Sequence, residues 1–316
     1  MRSFRFAAVV AAAILAASAP AFSASSETGE GQAVVTVLAR GNSEATPRIQ
    51  TQDLQVKING KLSSVAGWDA LRGEQSPLEL VILIDSGARS SLGTQEREIQ
   101  AFVKDLPAHT RAAIAYMENG RAVFSSPLSS DPVQVAREFH IPGSMPGQSG
   151  SPYFCLSDLA KNWPSRDHTA RREVVMITDG VDNYNPVYDP NDPYVQAAIQ
   201  DSVRAGLVVF SIYWTDIGRA DSSLSVSNGG QSLLQQVVED TGGVSYWQGT
   251  GNPVSFESYF KDLRVRFDNQ YRLGFSATLK GGPQVEGMNL KVGGPAAKVT
   301  APKLVLVSPA GGAAGN

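Results

Sequence analysis

From Leu78 onward, short runs of consecutive apolar residues alternate with segments whose apolar residues recur every three or four positions, which predicts strands alternating with one-sided helices. Leu78 to Ile84 is the first such run. Glu173 to Asp179 and Leu207 to Tyr213 repeat it, and each reads as a strand covered on both faces. Between them, Ile99, Phe102, Val103 and Leu106 make one helical face behind Thr94 as a cap, and Asp131-Pro132 opens a short helix through Phe139. Pro152 to Trp163 reads as another helix, and Asp192-Pro193 opens one that ends at Gly206. Arg111 to Met117 and Ala122 to Ser125 are strands around an Asn119-Gly120 turn; Ser232 to Glu239 is a helix before Thr241-Gly242-Gly243 and a short strand from Val244 to Trp247. The alternation predicts an α/β fold with a doubly wound, mostly parallel sheet and helices on both faces.

On either side of this stretch the spacing changes to short alternating runs. Ala33 to Ala39, Leu54 to Ile58 and Leu62 to Gly67 read as strands, the last two joined by the hairpin signal Asn59-Gly60, and Gly67 to Pro77 reads as a linker. A helix from Ser255 carries Phe256, Tyr259, Phe260, Leu263 and Phe267 on one face, an aromatic stripe that reads as core. Tyr271 to Leu279, Met288 to Val292 and Val299 to Val307 then return to strand patterning. The terminal segments are expected to meet as a small β region flanking an inserted α/β domain. The organisation expected is a signal peptide over 1–24, an N-terminal β region over 33–67, the α/β domain over 77–250, a C-terminal helix and β segment over 255–307, and a disordered Gly/Ala-rich tail over 308–316.

Charge and cysteine content narrow the classes. Arg2 and Arg5 precede an apolar run from Phe6 to Ala17, with small residues at Ala19, Ala21 and Ala24, the layout of a signal peptide cleaved after Ala21 or Ala24. That run is short of the ~20 residues a spanning helix needs. The expected location is therefore secreted or periplasmic, with no membrane span after cleavage. Removing those two arginines leaves 27 − 2 = 25 basic against 30 acidic side chains, a balance of −5 with no basic stripe, which argues against nucleic acid as a partner. Cys155 is the only cysteine, so no disulfide forms within the chain, and its apolar surroundings suggest a small buried hydrophobe.

The candidate chemistry lies where two buried-strand runs stop at aspartates, Asp85 and Asp179. If the strands are neighbours, both carboxylates stand at the carboxyl edge of the sheet, where open α/β folds bind ligands. The ordered set of an apolar strand into Asp85, VVMITDG through Asp179 and Gly180, GLVVFSI, and LLQQVVEDTGGVSYW resembles a von Willebrand factor type A (VWA) domain over about residues 77 to 250. The flanks, with Gln270 to Phe275, are similar to the secreted bacterial branch of that family. The resemblance implies a Mg²⁺ or Mn²⁺ site built from an Asp-x-Ser-x-Ser turn, a Thr from a separate loop and the Asp of a Thr-Asp-Gly strand end. Asp85 and Asp179 match the carboxylates, and Ser151, or else Ser149, lies where the Thr belongs. Gly87 and Arg89 stand in place of the two turn serines.

Arg89 is thus expected to neutralise Asp85 and Asp179, leaving metal binding weak or unnecessary. Asp182 opens an oxygen-rich loop to Asp192 that would rim the crevice; it lacks the register of a calcium loop. The function expected is a non-enzymatic exported module that recognises a protein or envelope component at this crest. The alternatives are a structural protein with a decayed site, or a serine hydrolase using Ser149 in the Gly147 to Ser151 segment, with only His109, His140 and His168 as bases.

Overall fold

The computed structural model describes residues 27–40, 46–143, 150–215, 223–249, 251–294 and 297–311. The expected signal peptide, Ser149 and the end of the tail from residue 312 lie outside them. The chain opens with β1 (Glu27–Ala39), β2 (Leu54–Ile58) and β3 (Lys61–Ala70). An α/β segment follows: β4 (Leu78–Asp85), α1 (Glu96–Lys104), β5 (Thr110–Glu118), β6 (Arg121–Phe124), α2 (Pro132–Arg137), α3 (Pro152–Lys161), β7 (Arg171–Thr178), α4 (Pro193–Arg204), β8 (Leu207–Tyr213), α5 (Leu224–Thr241) and β9 (Ser245–Tyr246). It closes with α6 (Glu257–Phe267), β10 (Gln270–Leu279), β11 (Gln284–Val292), β12 (Ala297–Thr300) and β13 (Leu304–Pro309).

The fold expectation needs correction. Besides the α/β sheet there is a closed antiparallel barrel of six strands, in the order β10-β3-β2-β11-β13-β1 with β1 returning to β10, and β12 pairs with β1 at its edge. This is a sheet as large as the other and not a small flanking region. The second sheet, β6-β5-β4-β7-β8-β9, is mixed, since β6 runs antiparallel to β5 while the other neighbours are parallel. A doubly wound parallel sheet is therefore not the description of this chain. Closure removes the exposed edges that a short β region would leave open to strangers.

The barrel extends further into the polar N-terminal stretch than its apolar spacing suggests. β1 begins at Glu27 because it pairs along its length with β10, from Glu27 opposite Leu279 to Thr36 opposite Gln270. Gly29 and Gly31 make this possible: a Cβ at Gly29 would lie 2.7 Å from Val307, and one at Gly31 would lie 2.5 Å from the Phe275 ring. The single strand expected from Val299 to Val307 is two strands, broken at Ala301-Pro302-Lys303, and the last runs on to Pro309, inside the stretch expected to be disordered. Leu54, Val56, Leu273, Phe275 and Val307 fill the barrel's core.

In the mixed sheet, β4 is buried at every position and its side chains alternate between two cores. Leu80, Ile82 and Ile84 face α1 and α6, where Phe102, Phe256, Phe260 and Phe267 pack, so the aromatic stripe is core. Val81 and Leu83 face the opposite core, with Tyr153, Cys155, Ile199 and Leu234 from α3, α4 and α5. Thr94 does not cap α1. The turn after β4 continues as tight helical turns through Gln95, and the Thr94 hydroxyl bonds back to Ser91 O at 3.0 Å. Asp131 and Asp192 do cap their helices. The helix expected from Ser232 to Glu239 is the long α5, hidden in the sequence by Gly229-Gly230.

Candidate functional site

β4 and β7 are adjacent and parallel, with Ile84 opposite Ile177, so the two strands end side by side. They also flank the point where the strand order reverses, with β5 to one side of β4 and β7 to the other, the position at whose carboxyl ends open α/β sheets bind ligands. Each aspartate folds its own turn. Asp85 Oδ1 accepts from Gly87 N at 2.8 Å, and Asp179 Oδ1 accepts from Val181 N at 2.9 Å.

The residue that reaches across from β7 to Asp85 is Thr178. Its hydroxyl donates to Asp85 Oδ2 at 2.6 Å and accepts from Gly180 N at 3.1 Å. Alternation along a strand sends Thr178 and Asp179 to opposite sides, so the hydroxyl is the direct neighbour of Asp85. Sequence reading missed Thr178; the signal was present, because a threonine one residue before a strand-ending aspartate faces the adjacent strand's end when the register is level.

Ser151 is fully buried and caps α3, accepting from Phe154 N at 3.5 Å. It donates to Asp182 Oδ2 at 2.9 Å, so the structure pairs Ser151 with Asp182. Asp182 Oδ1 also accepts from Tyr184 N at 2.8 Å. Burial raises the Asp182 carboxyl above the usual carboxylate range, against the Tyr184 and Ser151 hydrogen bonds that hold it down. Two residues on, Tyr153 donates to Gly180 O at 2.7 Å; burial, and then the charges of Asp179, Asp182 and Asp192, push its phenol well up.

Asp192 is engaged at the far end of the loop. It accepts from Tyr194 N at 2.8 Å, Val195 N at 3.2 Å and Asn185 Nδ2 at 2.7 Å. Asp182 and Asp192 thus fasten the loop to α3 and α4, which is structural work for the oxygens that suggested calcium. The surface here is aromatic: Tyr184 of the loop and Tyr194 at the start of α4 stand against Phe154 at centroid distances of 5.6 and 4.8 Å, and Val187 and Tyr188 of the loop are exposed.

Gly87 and Ala88 are buried in the turn after Asp85, and Arg89 is half-buried with φ 49° and ψ −153°. A positive φ in a residue with a side chain costs roughly 1–3 kcal/mol and persists only where the surroundings impose it. The next hydroxyls serve the turn itself: Ser91 donates to Ala88 O at 2.6 Å and accepts from Trp214 Nε1 at 3.0 Å.

The residues present do not fit the metal site that the resemblance implies. Two of its hydroxyl positions hold Gly87 and Arg89, Ser151 is turned to Asp182, and both oxygens of Asp85 accept hydrogen bonds from the chain. Among the described residues, no group of three or more His, Cys, Asp or Glu side chains is arranged to hold a metal ion. Ser149 lies outside the described residues, and His109, His140 and His168 are all exposed. Cys155 is fully buried and faces the core beneath this edge; burial, then the charges of Asp85 and Asp158, raise its thiol far above the usual range.

No family model matches the chain, and no curated protein matches it. Among solved structures it is similar to an aerotolerance-related membrane protein from Bacteroides fragilis, at 15% identity over 60% of this chain and 98% of that one, with a TM-score of 0.41. It is also similar to proximal thread matrix protein 1 from the mussel byssus, described with a zinc-occupied MIDAS motif, at 14% identity over 66% of this chain and 50% of that one, with a TM-score of 0.43. A third is the ArnB paralog VWA2 from Sulfolobus acidocaldarius, at 9% identity over 89% and 76% of the two chains, with a TM-score of 0.38. These overlaps are too partial to fix a shared fold, and the class of the α/β half rests on its own strand order and strand ends. No helix among the described residues is long and apolar enough to cross a membrane.

Proposed function

We propose that this chain is an exported, VWA-like binding module whose crest recognises an acidic group on a protein or envelope partner through Arg89, without a resident metal. The observation that supports it most is the closed state of Asp85. Its two oxygens accept from Gly87 N and from Thr178 Oγ1, so both are already engaged by the chain's own donors. Arg89 puts a permanent, planar cation at the same turn, a charge that an acidic partner group would meet there. The exposed Tyr184, Tyr188 and Tyr194 beside the crest offer the amphipathic contact area that protein interfaces favour.

The test uses immobilised peptides ending in aspartate or glutamate against amide-capped controls. Binding should weaken about tenfold in Arg89→Gln, as expected when one charge-assisted pair is lost, and should be unaffected by EDTA. Binding that EDTA abolishes, or that is indifferent to Arg89, would overturn the reading.

A further inference from the structure

Where the barrel meets the mixed sheet, β7 begins beside the turn from α6 to β10, and the polar groups buried there do not pair off. Arg171, the first residue of β7, donates from Nη1 to Phe267 O at 2.6 Å, at the end of α6, and to Gln270 Oε1, at the start of β10. Alternation puts Glu173 on the same face of β7, two residues further on. Its register partners are Leu80 of β4 and Val208 of β8, so apolar side chains flank it on both sides.

Glu173 has no exposed surface, and neither of its oxygens accepts a hydrogen bond. Arg171 Nε and Gln270 Nε2 are buried donors with no acceptor. The joint thus holds two unmet acceptors and two unmet donors. The Arg171 guanidinium is the charge that acts on Glu173, and Glu173 and Asp268 act in turn on Arg171. On α6, Arg264 pairs with Asp105 and Arg266 with Asp262, while Arg172 lies on the other face of the sheet. Burial outweighs the Arg171 charge and raises the carboxyl from 4.5 to about 7.

We propose that Glu173 makes this joint proton-sensitive: protonated, it packs in the apolar layer, and ionised, it opens the contact between β7 and the turn from α6 to β10. A neutral carboxyl stays beside Leu80 and Val208 at modest cost, whereas a buried carboxylate must gain donors or water. The unmet donors belong to Arg171 and Gln270, the same side chains that hold Phe267 O and each other. Turning either toward Glu173 draws on those bonds, and admitting water parts the same surfaces. Because the closed joint holds the proton more tightly than the open one, closure is fully favoured below pH 4.5 and lost as pH rises through about 7.

Amide hydrogen exchange, corrected for the intrinsic rate and measured well below and well above neutral pH, tests this. The reporters are the Val37, Leu71 and Asn269 amides, which donate to Asn269 O, Gln270 O and Arg266 O around the joint, while the amides of β4 report global unfolding. In the unmodified protein, protection of the reporters is expected to fall about tenfold or more relative to β4 as pH rises. In Glu173→Gln it is expected to stay level. Glu173→Leu, which removes the carboxyl without adding an amide, carries the same expectation and serves if Glu173→Gln does not fold. Reporters that hold level in the unmodified protein, that fall only in step with β4, or that still fall in the variants overturn the proposal.

Discussion

Replacing Glu173 by glutamine is expected to stabilise the protein by about 3 kcal/mol above neutral pH and to leave it unchanged in mild acid. Glu173 lies in β7 with no exposed surface, and neither carboxyl oxygen accepts a hydrogen bond. Burial pushes its pKa up from 4.5 to about 7, outweighing the Arg171 charge that favours ionisation. A raised carboxyl pKa means that the folded state holds the proton more tightly than the unfolded state. Between pH 4.5 and about 7 the folded chain therefore carries more protons, and stability falls as pH rises. The full contribution is present below pH 4.5 and lost once the folded group ionises. Glutamine cannot ionise, so the difference between variant and parent should open across that window. Denaturant unfolding of both proteins at a series of pH values measures it; a difference that stays constant with pH would contradict the account.

Gly230→Ala is expected to cost about 2 kcal/mol or more and to disturb the crest, although alanine is the better helix former by roughly 1 kcal/mol. A Cβ at Gly230 would stand 2.3 Å from Asp179 O and 3.1 Å from Gly180 C, both main-chain atoms of the site's turn. Gly180 itself has φ +71°, and a Cβ there would meet Leu234 at 2.5 Å and Gly230 O at 2.6 Å. Two glycines therefore let α5 and the Asp179 turn touch backbone to backbone, and the turn's position depends on that contact. Gly229→Ala is the control, because its Cβ would meet the Tyr188 side chain at 3.1 Å, in an exposed loop that can give way. Thermal unfolding of the two variants should separate them clearly, and equal stabilities would show that the turn is not braced by α5.

The parts of this molecule that were legible in the sequence are those encoded locally. Leu78 to Ile84 and Glu173 to Ile177 announce buried strands by composition, and a carboxylate straight after such a run marks its end, so Asp85 and Asp179 could be placed at one edge of a sheet. Asp131 and Asp192 before proline are caps readable from four residues. What escaped depends on partners distant in the chain. β1 is a strand from Glu27 because Leu279 to Gln270 lies beside it, and barrel closure joins segments more than 200 residues apart. The bond from Ser151 to Asp182 arises from the approach of α3 to the loop after β7, which no spacing within either segment encodes. The length of α5 was concealed because glycine, unfavourable in a helix, was selected there for close approach.

The most direct test of a crest that works without metal is calorimetry of Mg²⁺ and Mn²⁺ into chelator-treated protein, beside Arg89→Ser, Asp179→Ala and the double variant. The account predicts no saturable binding by the parent at millimolar metal, and binding gained in Arg89→Ser that Asp179→Ala then removes. Saturable binding by the parent that Asp179→Ala abolishes would contradict it, and would place a metal ion at Asp179, after the end of β7.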